Sequence, residues 1–265
     1  MNISRRQFLT LTSALLASSC ARVRIPLVNI SPARFTVAAV NDIHLKDAGS
    51  TAILNRGLDK INALSDLKFS VMLGDLSSSG KLSEMNLAKD SLKRLTKPYF
   101  TLPGNHDVQG RDDIFANYTK VFGPTEWVHE EENWAFIGIN SCEGGLSDVT
   151  IPQDRVAWLR KRIKKTGRKK PIAIFSHHPF NPNTKKYRVK NADEILGLFQ
   201  GYNLKLVASG HWHGNQEEEK DGVLFTTTAC LSSTRENFDD TQAKGFRLFH
   251  FEGETVKTEF VEVAL

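Results

Sequence analysis

Cysteine is scarce in this chain. Three occur in 265 residues, Cys20, Cys142 and Cys230, and none stands in a C-x-x-C spacing. A disulfide framework is thereby excluded, and with Cys20 in an N-terminal segment of separate character, at most one internal bridge remains open. A large excess of either charge is also missing. The formal net charge is +5, or +3 once the first twenty residues are set aside. That balance is too mild to imply nucleic-acid binding, and no nucleic acid is expected as a partner. The one basic run, Arg160-Lys161-Arg162, Lys164-Lys165 and Arg168-Lys169-Lys170, follows Val156-Ala157-Trp158-Leu159 on a helical pattern ending at Gly167. It reads as a solvated helix face with cations placed favourably near the helix C-terminus, rather than as a binding patch. Internal repeats, low-complexity segments and a clear linker are absent as well, so the length allows one large α/β domain or two small ones, with an ordinary 40% hydrophobic content to build a core.

Acidic residues are missing before Ser31-Pro32, and what stands there reads as an address. Ser4-Arg5-Arg6-Gln7-Phe8-Leu9 resembles the twin-arginine export motif, and Leu9 to Ala17 is a moderately apolar stretch ending in the small residues Ser18 and Ser19. That stretch is too short to span a bilayer as a helix. Residues 1–30 are therefore expected to be a signal peptide and linker that engage the twin-arginine export machinery, with residues 31–265 as the functional domain in the periplasm or on the outer face of the membrane. Cys20 after Ala17-Ser18-Ser19 also resembles a lipoprotein processing site, although such sites prefer Leu where Ala17 stands. A lipid anchor at Cys20 is thus an open alternative.

From Arg34 onward, strands and helices alternate, which argues for an α/β fold. Strands are expected at 35–40, 69–73, 99–102, 134–139, 171–175 and 204–208. Helical spacing runs through Ile53 to Leu64, Leu82 to Leu95, Asp113 to Phe122, and Gln153 to Lys165 behind Pro152. The tail, at 223–227, 246–250 and 256–260, alternates like antiparallel strands closing a second sheet.

Polar residues gather where five of these strands stop: Asp42 and His44, Asp75, Asn105-His106-Asp107, His177-His178, and His211 and His213. Six of the eight histidines fall in these short segments, which scattered structural histidines would not do. Side chains two apart on a strand point the same way, so Asp42 and His44 can grip one cation together. Gly74, Gly104 and Gly210 fit a crowded centre where backbone must turn tightly.

Taken in order, Asp42-x-His44, Gly74-Asp75, Gly104-Asn105-His106-Asp107, His177 and Gly210-His211-x-His213 resemble the five motifs of the calcineurin-like metallophosphoesterases, over about residues 35–215. The resemblance implies two mixed β-sheets packed as a sandwich and flanked by helices. It implies one metal held by Asp42, His44, Asp75 and His213, and another by Asp75, Asn105, His177 and His211. Imidazole, carboxylate and amide oxygen without thiolate suit transition-metal ions, Mn, Fe or Zn. Two such ions can activate a shared water for direct in-line attack on phosphorus. His106 is then free to protonate the leaving group, with Asp107 orienting its ring. Purple acid phosphatases, which are relatives, usually lack the His of the first motif and carry a Tyr where Ser78 stands here. The series is similar instead to the group that holds bacterial cyclic-nucleotide phosphodiesterases.

The expected activity is therefore hydrolysis of small phosphate esters, diesters slightly ahead of monoesters. A phosphomonoesterase or phosphoprotein phosphatase is the alternative, and a metal-holding interaction module without catalysis is a further one. His178 either reaches substrate or fixes the loop before Pro179. The segment 227–238 either lines the cleft, with Arg235 pairing with phosphate, or is plain surface loop. Trp212 is expected to point away from its ligand neighbours by strand alternation. Nothing in the sequence sets an oligomeric state.

Overall fold

The computed structural model describes residues 33–265, apart from 182 and 185. The leader reading and the Cys20 alternative therefore lie outside the described residues. Alternation along the first strand, β1 (Arg34–Val40), sets the layering. Phe35, Val37 and Ala39 face one apolar cluster, while Ala38 and Val40 face another. A strand that is apolar on both faces must be covered on both, and here a second sheet covers one face and helices the other.

The first sheet has the order β11-β10-β1-β2-β3. Its strands are β1, β2 (Leu67–Met72), β3 (Tyr99–Thr101), β10 (Gly245–Glu252) and β11 (Thr255–Glu262). β1, β2 and β3 run parallel, and β10 and β11 add antiparallel on the far side of β1. The second sheet has the order β4-β5-β6-β7-β9-β8. It contains β4 (Trp127–Glu131), β5 (Trp134–Ile139), β6 (Ile172–Ser176), β7 (Leu204–Ser209), β8 (Gln216–Lys220) and β9 (Val223–Thr227). β5, β6, β7 and β9 are parallel, with an antiparallel strand on each edge. The α/β sandwich of two mixed sheets with flanking helices is thus present.

Between the sheets lies an aromatic layer in which Phe136 contacts Phe35, Phe69, Phe175 and Phe251 at ring separations of 4.9–6.3 Å. Outside the first sheet, α1 (Ala52–Asn62) and α2 (Leu82–Leu92) bury Leu54, Leu58, Ile61, Met85 and Leu92. α3 (Ala116–Phe122) lies beside α2, and within it the rings of Tyr118 and Phe122 are tilted by 37° with centroids 5.4 Å apart. Outside the second sheet, α4 (Gln153–Thr166) buries Val156, Leu159 and Ile163, and α5 (Ala192–Gly197) buries Ile195. Gly167, at φ 85°, ends α4 where a residue with a Cβ would be strained. Arg160, Lys161, Arg162, Lys164 and Lys165 of α4 are exposed, in keeping with a solvated face. No helix among the described residues is long and apolar enough to cross a membrane.

Two expectations need correcting. The tail does not close one sheet, because β9 joins the second sheet while β10 and β11 extend the first. Phe249 and Phe251 on β10 supply the reason, since pairing beside β1 places them in the aromatic layer between the sheets. In addition β4 (Trp-Val-His-Glu-Glu) and β8 (Gln-Glu-Glu-Glu-Lys) are strands that the sequence pattern hides. Both are sheet edges, where charge is tolerated and deters pairing with another chain.

Candidate metal centre

Three strand ends of the first sheet and two of the second deliver their polar residues to one place at the carboxyl ends of the parallel strands. Asp42 and His44 follow β1, Asp75 follows β2 and Asn105 follows β3; His177 follows β6, and His211 and His213 follow β7. Asp42 Oδ1 lies 3.1 Å from His213 Nε2 and 3.9 Å from His44 Nε2, and His44 Nε2 lies 3.3 Å from Asp75 Oδ2. On the other side, His177 Nε2 lies 3.0 Å from Asn105 Oδ1, 3.1 Å from His211 Nδ1 and 3.5 Å from Asp75 Oδ1. Asp75 offers one oxygen to each group.

The backbone, more than the rotamers, sets these positions. Asp42, His44, Asp75 and His211 all adopt left-handed conformations, with φ of 55°, 44°, 51° and 61°. Residues other than glycine avoid that region, and such strain concentrates at functional sites. Pairing between the chain after β1 and the chain after β2 holds it in place, through Asp42 N to Gly74 O at 3.1 Å, His44 N to Asp75 O at 2.9 Å and Leu45 N to Leu76 O at 3.1 Å. Strand alternation is therefore not what aligns Asp42 with His44, since β1 has already ended at Val40. The same holds at Trp212, where the chain turns sharply (Trp212 N to Gly210 O, 2.6 Å) and the indole packs against Phe238 and Tyr187. Gly104 is required by contact, because a Cβ there would run into the Asp75 carboxylate and its backbone nitrogen.

Hydrogen bonds fix which ring nitrogens face inward. His177 Nδ1 donates to Leu73 O (2.8 Å), His211 Nε2 to Ser147 O (3.0 Å) and His213 Nδ1 to Glu236 O (2.9 Å). In the neutral rings this leaves His177 Nε2 and His211 Nδ1 as lone pairs. They face each other and the oxygens of Asn105 and Asp75. Burial lowers the pKa of both rings to about 3, so both are neutral. His44 is brought down to about 2, first by burial, and neither of its ring nitrogens has a hydrogen-bond partner among the described residues. Asp42 Oδ1 faces His213 Nε2 at 3.1 Å, whereas Oδ2 accepts from His211 N at 2.9 Å and Asn41 Nδ2 at 2.6 Å. For Asp75, burial and then the charges of Asp42 and Asp107 push its pKa up. For His213, burial pulls downward, but the Asp42 carboxylate outweighs it and raises the ring to about 11. A convergence of buried carboxylates and lone pairs is what a cation compensates, with displacement of the proton that His213 shares with Asp42.

His178 belongs to the same cluster of rings but is committed elsewhere. Ser141 Oγ lies 2.9 Å from its Nδ1, and its Nε2 donates to Leu146 O at 3.1 Å, so it fixes the loop before Pro179. Beside the centre opens a cavity of about 320 Å³ lined by His44, His106, Tyr187, His213, Arg235 and Phe238 among others. Arg235 thus lies in the cleft, its Nη2 3.4 Å from His106 Nδ1. Tyr187 was not legible as a site residue, because nothing in its spacing connects it to the strand ends, whereas Phe238 belongs to the 227–238 segment, whose residues 234–236 and 238 line the cleft. Cys142 and Cys230 are both free and buried.

Buried carboxylates and imidazoles gathered where two packed sheets meet are groups that could hold a metal ion for hydrolysis. The calcineurin-like phosphoesterase family matches residues 35–215, and the chain belongs to that family. It is a hydrolase acting on phosphate esters. A probable glycerophosphodiester phosphodiesterase of Arcobacter nitrofigilis is 25% identical over 221 residues, covering 74% of this chain and 78% of the relative. A 3',5'-cyclic adenosine monophosphate phosphodiesterase of Haemophilus influenzae is 24% identical over 183 residues, covering 67% and 63%. Among solved structures, a purple acid phosphatase from yellow lupin superposes with a TM-score of 0.69 at 13% identity, over 87% of this chain and 52% of the lupin chain. This chain thus spans about half the length of the lupin protein. A dimetal phosphatase from Danio rerio superposes with a TM-score of 0.59 at 13% identity, over 88% of this chain and all of the other. Those two likenesses show the fold. The family implies divalent metal ions, and the buried His44 nitrogens, which have no hydrogen-bond partner among the described residues, fit that implication.

One expected role is overturned. Asp107 does not orient the ring of His106, whose Nδ1 lies 3.0 Å from Ser78 O. Its carboxylate instead accepts from Leu76 N (3.0 Å), Ser77 N (2.8 Å), Gly104 N (2.9 Å) and Ser77 Oγ (2.9 Å). It ties the loop after β2 to the loop after β3, which is how Asp75 and Asn105 are held side by side. Burial raises its pKa to about 6 against the pull of these donors. Asp107→Asn places an amide NH2 against a backbone N–H and is expected to cost about 1–3 kcal/mol, seen as a lower denaturant midpoint. An unchanged midpoint would contradict this role.

Proposed function

We propose that the protein hydrolyses small phosphodiesters by in-line displacement at phosphorus, with two transition-metal ions, Mn, Fe or Zn, as cofactors. Asp42, His44, Asp75 and His213 would hold one ion; Asp75, Asn105, His177 and His211 would hold the other. The observation that carries this reading is the pair of converging lone-pair sets that share Asp75. When bound, two such ions would supply an activated water and neutralise charge on the phosphoryl oxygens. The naming of relatives for diesters supports diester over monoester substrates.

The remaining work falls to side chains around the cavity. His106 is half-buried, and with Nδ1 donated to Ser78 O its Nε2 is the atom that meets the leaving oxygen. Burial and, less strongly, the Arg235 guanidinium lower its pKa, and an arriving phosphate anion offsets both by its opposite charge. His106 then acts as general acid, and Arg235 pairs with a phosphoryl oxygen. We also propose export by the twin-arginine route, on the strength of Ser4-Arg5-Arg6-Gln7-Phe8-Leu9, with lipidation at Cys20 as its variant.

Elemental analysis of protein expressed with ample metal is expected to return close to two transition-metal ions per chain, with activity lost on chelation. Asp75→Asn is expected to lower occupancy of both sites together. One ion or none in the parent protein would overturn the dinuclear reading, and an aryl monophosphate cleaved faster than its diester would overturn the substrate preference.

His106→Ala is expected to keep both ions and to cut turnover of poor leaving groups by roughly 10²–10⁴. The loss should be smaller for a leaving group as good as nitrophenolate. Equal losses on both would place His106 in charge stabilisation instead of proton transfer.

Fractionation of cells producing Arg5→Lys with Arg6→Lys is expected to find active protein retained in the cytoplasm. Normal export of that variant would remove the leader reading.

A further inference from the structure

Phe238 is 41% exposed, one of few large apolar side chains so placed among the described residues. A single exposed apolar residue needs no explanation, but this one stands in the wall of the cavity beside the metal centre. Its ring lies 4.7 Å from that of His213 at 7° between planes, and 5.0 Å from that of Tyr187 at 13°. Three rings thus stand nearly parallel, beginning at a ring of the metal centre and leading outward. Tyr187 and Phe238 come from loops far apart in the sequence, so the stack is a product of the fold.

The segment that carries Phe238 is held rigidly. Phe238 N donates to His213 O at 2.7 Å, and His213 Nδ1 donates to Glu236 O at 2.9 Å. Behind it the buried ammonium of Lys244 reaches Arg235 O at 2.7 Å, Cys230 Sγ at 3.2 Å and Asn237 Oδ1 at 3.3 Å. Two of these contacts hold the 235–238 segment, and the third holds Cys230, which precedes it. Arg235 and Phe238, three residues apart, are presented together, a cation for the phosphoryl group and the ring that backs Tyr187 beside it. A surface already fixed in place loses little freedom when a ligand packs on it.

We infer that this aromatic wall determines specificity: Tyr187, the outermost ring of the stack, takes a planar ring, such as a nucleobase, on the organic part of the ester, and Phe238 backs it from within. The site thereby discriminates ring-bearing esters from glycerol-type esters. This inference rests on the phosphodiesterase reading for its substrate but not on the rate of that reaction. Stacking tolerates any base, since each has a π-face, so the wall selects flatness and not base identity.

The test is calorimetric titration of metal-loaded protein with adenosine 5'-monophosphate and with glycerol 3-phosphate, which share a phosphate and differ in the ring. The parent protein is expected to bind the nucleotide about tenfold more tightly, the scale of one stacking contact. Phe238→Ala and Tyr187→Ala should each shrink that ratio, and Phe238→Trp should keep it. Metal analysis of each variant separates this from loosening of His213, which weakens both ligands alike. Equal affinities in the parent, or an unchanged ratio in both alanine variants, would overturn the inference. Parallel assays with a cyclic nucleotide and a glycerophosphodiester keep the two readings apart. A normal ratio with neither diester cleaved sinks the functional reading and leaves the wall, whereas cleavage of both with no ratio sinks the wall alone.

Discussion

The molecule depends on a confluence of acceptors. Asp42, Asp75 and Asp107 are all buried to within 1% of full enclosure, and Asp42 and Asp75 each bring an oxygen among the imidazole nitrogens of the centre. Such a set is unfavourable without positive charge, and no lysine or arginine sits within it to provide any. Arg235 stands at the edge of the cavity, and Lys244 is committed to a loop. The fold therefore brings together groups that a cation stabilises, and much of the surrounding architecture resists their mutual repulsion.

That resistance is built from backbone. The strand ends beyond β1 and β2 stay hydrogen-bonded to each other through the strained residues, Asp107 bridges the next two loops, and the carbonyls of Leu73, Ser147 and Glu236 fix the tautomers of three histidines. The aromatic layer around Phe136 fixes the spacing of the sheets from which the two halves of the centre arise. Packing far from the chemistry thus sets the separation across which Asp75 must serve both groups.

Much of this was legible in the sequence, for definable reasons. Strands buried on both faces, such as Trp134–Ile139, announce themselves as continuous apolar runs, and polar residues where such runs stop mark the edge at which ligands gather. Edge strands were hidden because Gln216–Lys220 carries four charges and gains strand structure only by pairing with Val223–Thr227. The placement of β10 beside β1 was hidden because alternation tells which face is buried and not which neighbour buries it. Asp107 was misread for a similar reason: its place beside His106 in sequence suggested a partner, whereas the nearest donors in space come from residues 76, 77 and 104. Tyr187 and Phe238 lie in loops, where no periodicity reports what they touch.

The attachment of the 235–238 segment carries a consequence for how such a protein diversifies. The groups of the metal centre hang from strand ends that the two sheets hold, while Arg235 and Phe238 hang from a surface excursion held by the Lys244 ammonium and by His213. Its side chains can change without disturbing the registry of any strand, but its backbone cannot, because the Glu236 carbonyl and the Phe238 N–H both close on His213. Variation is thus free at the tips of that loop and costly along its spine.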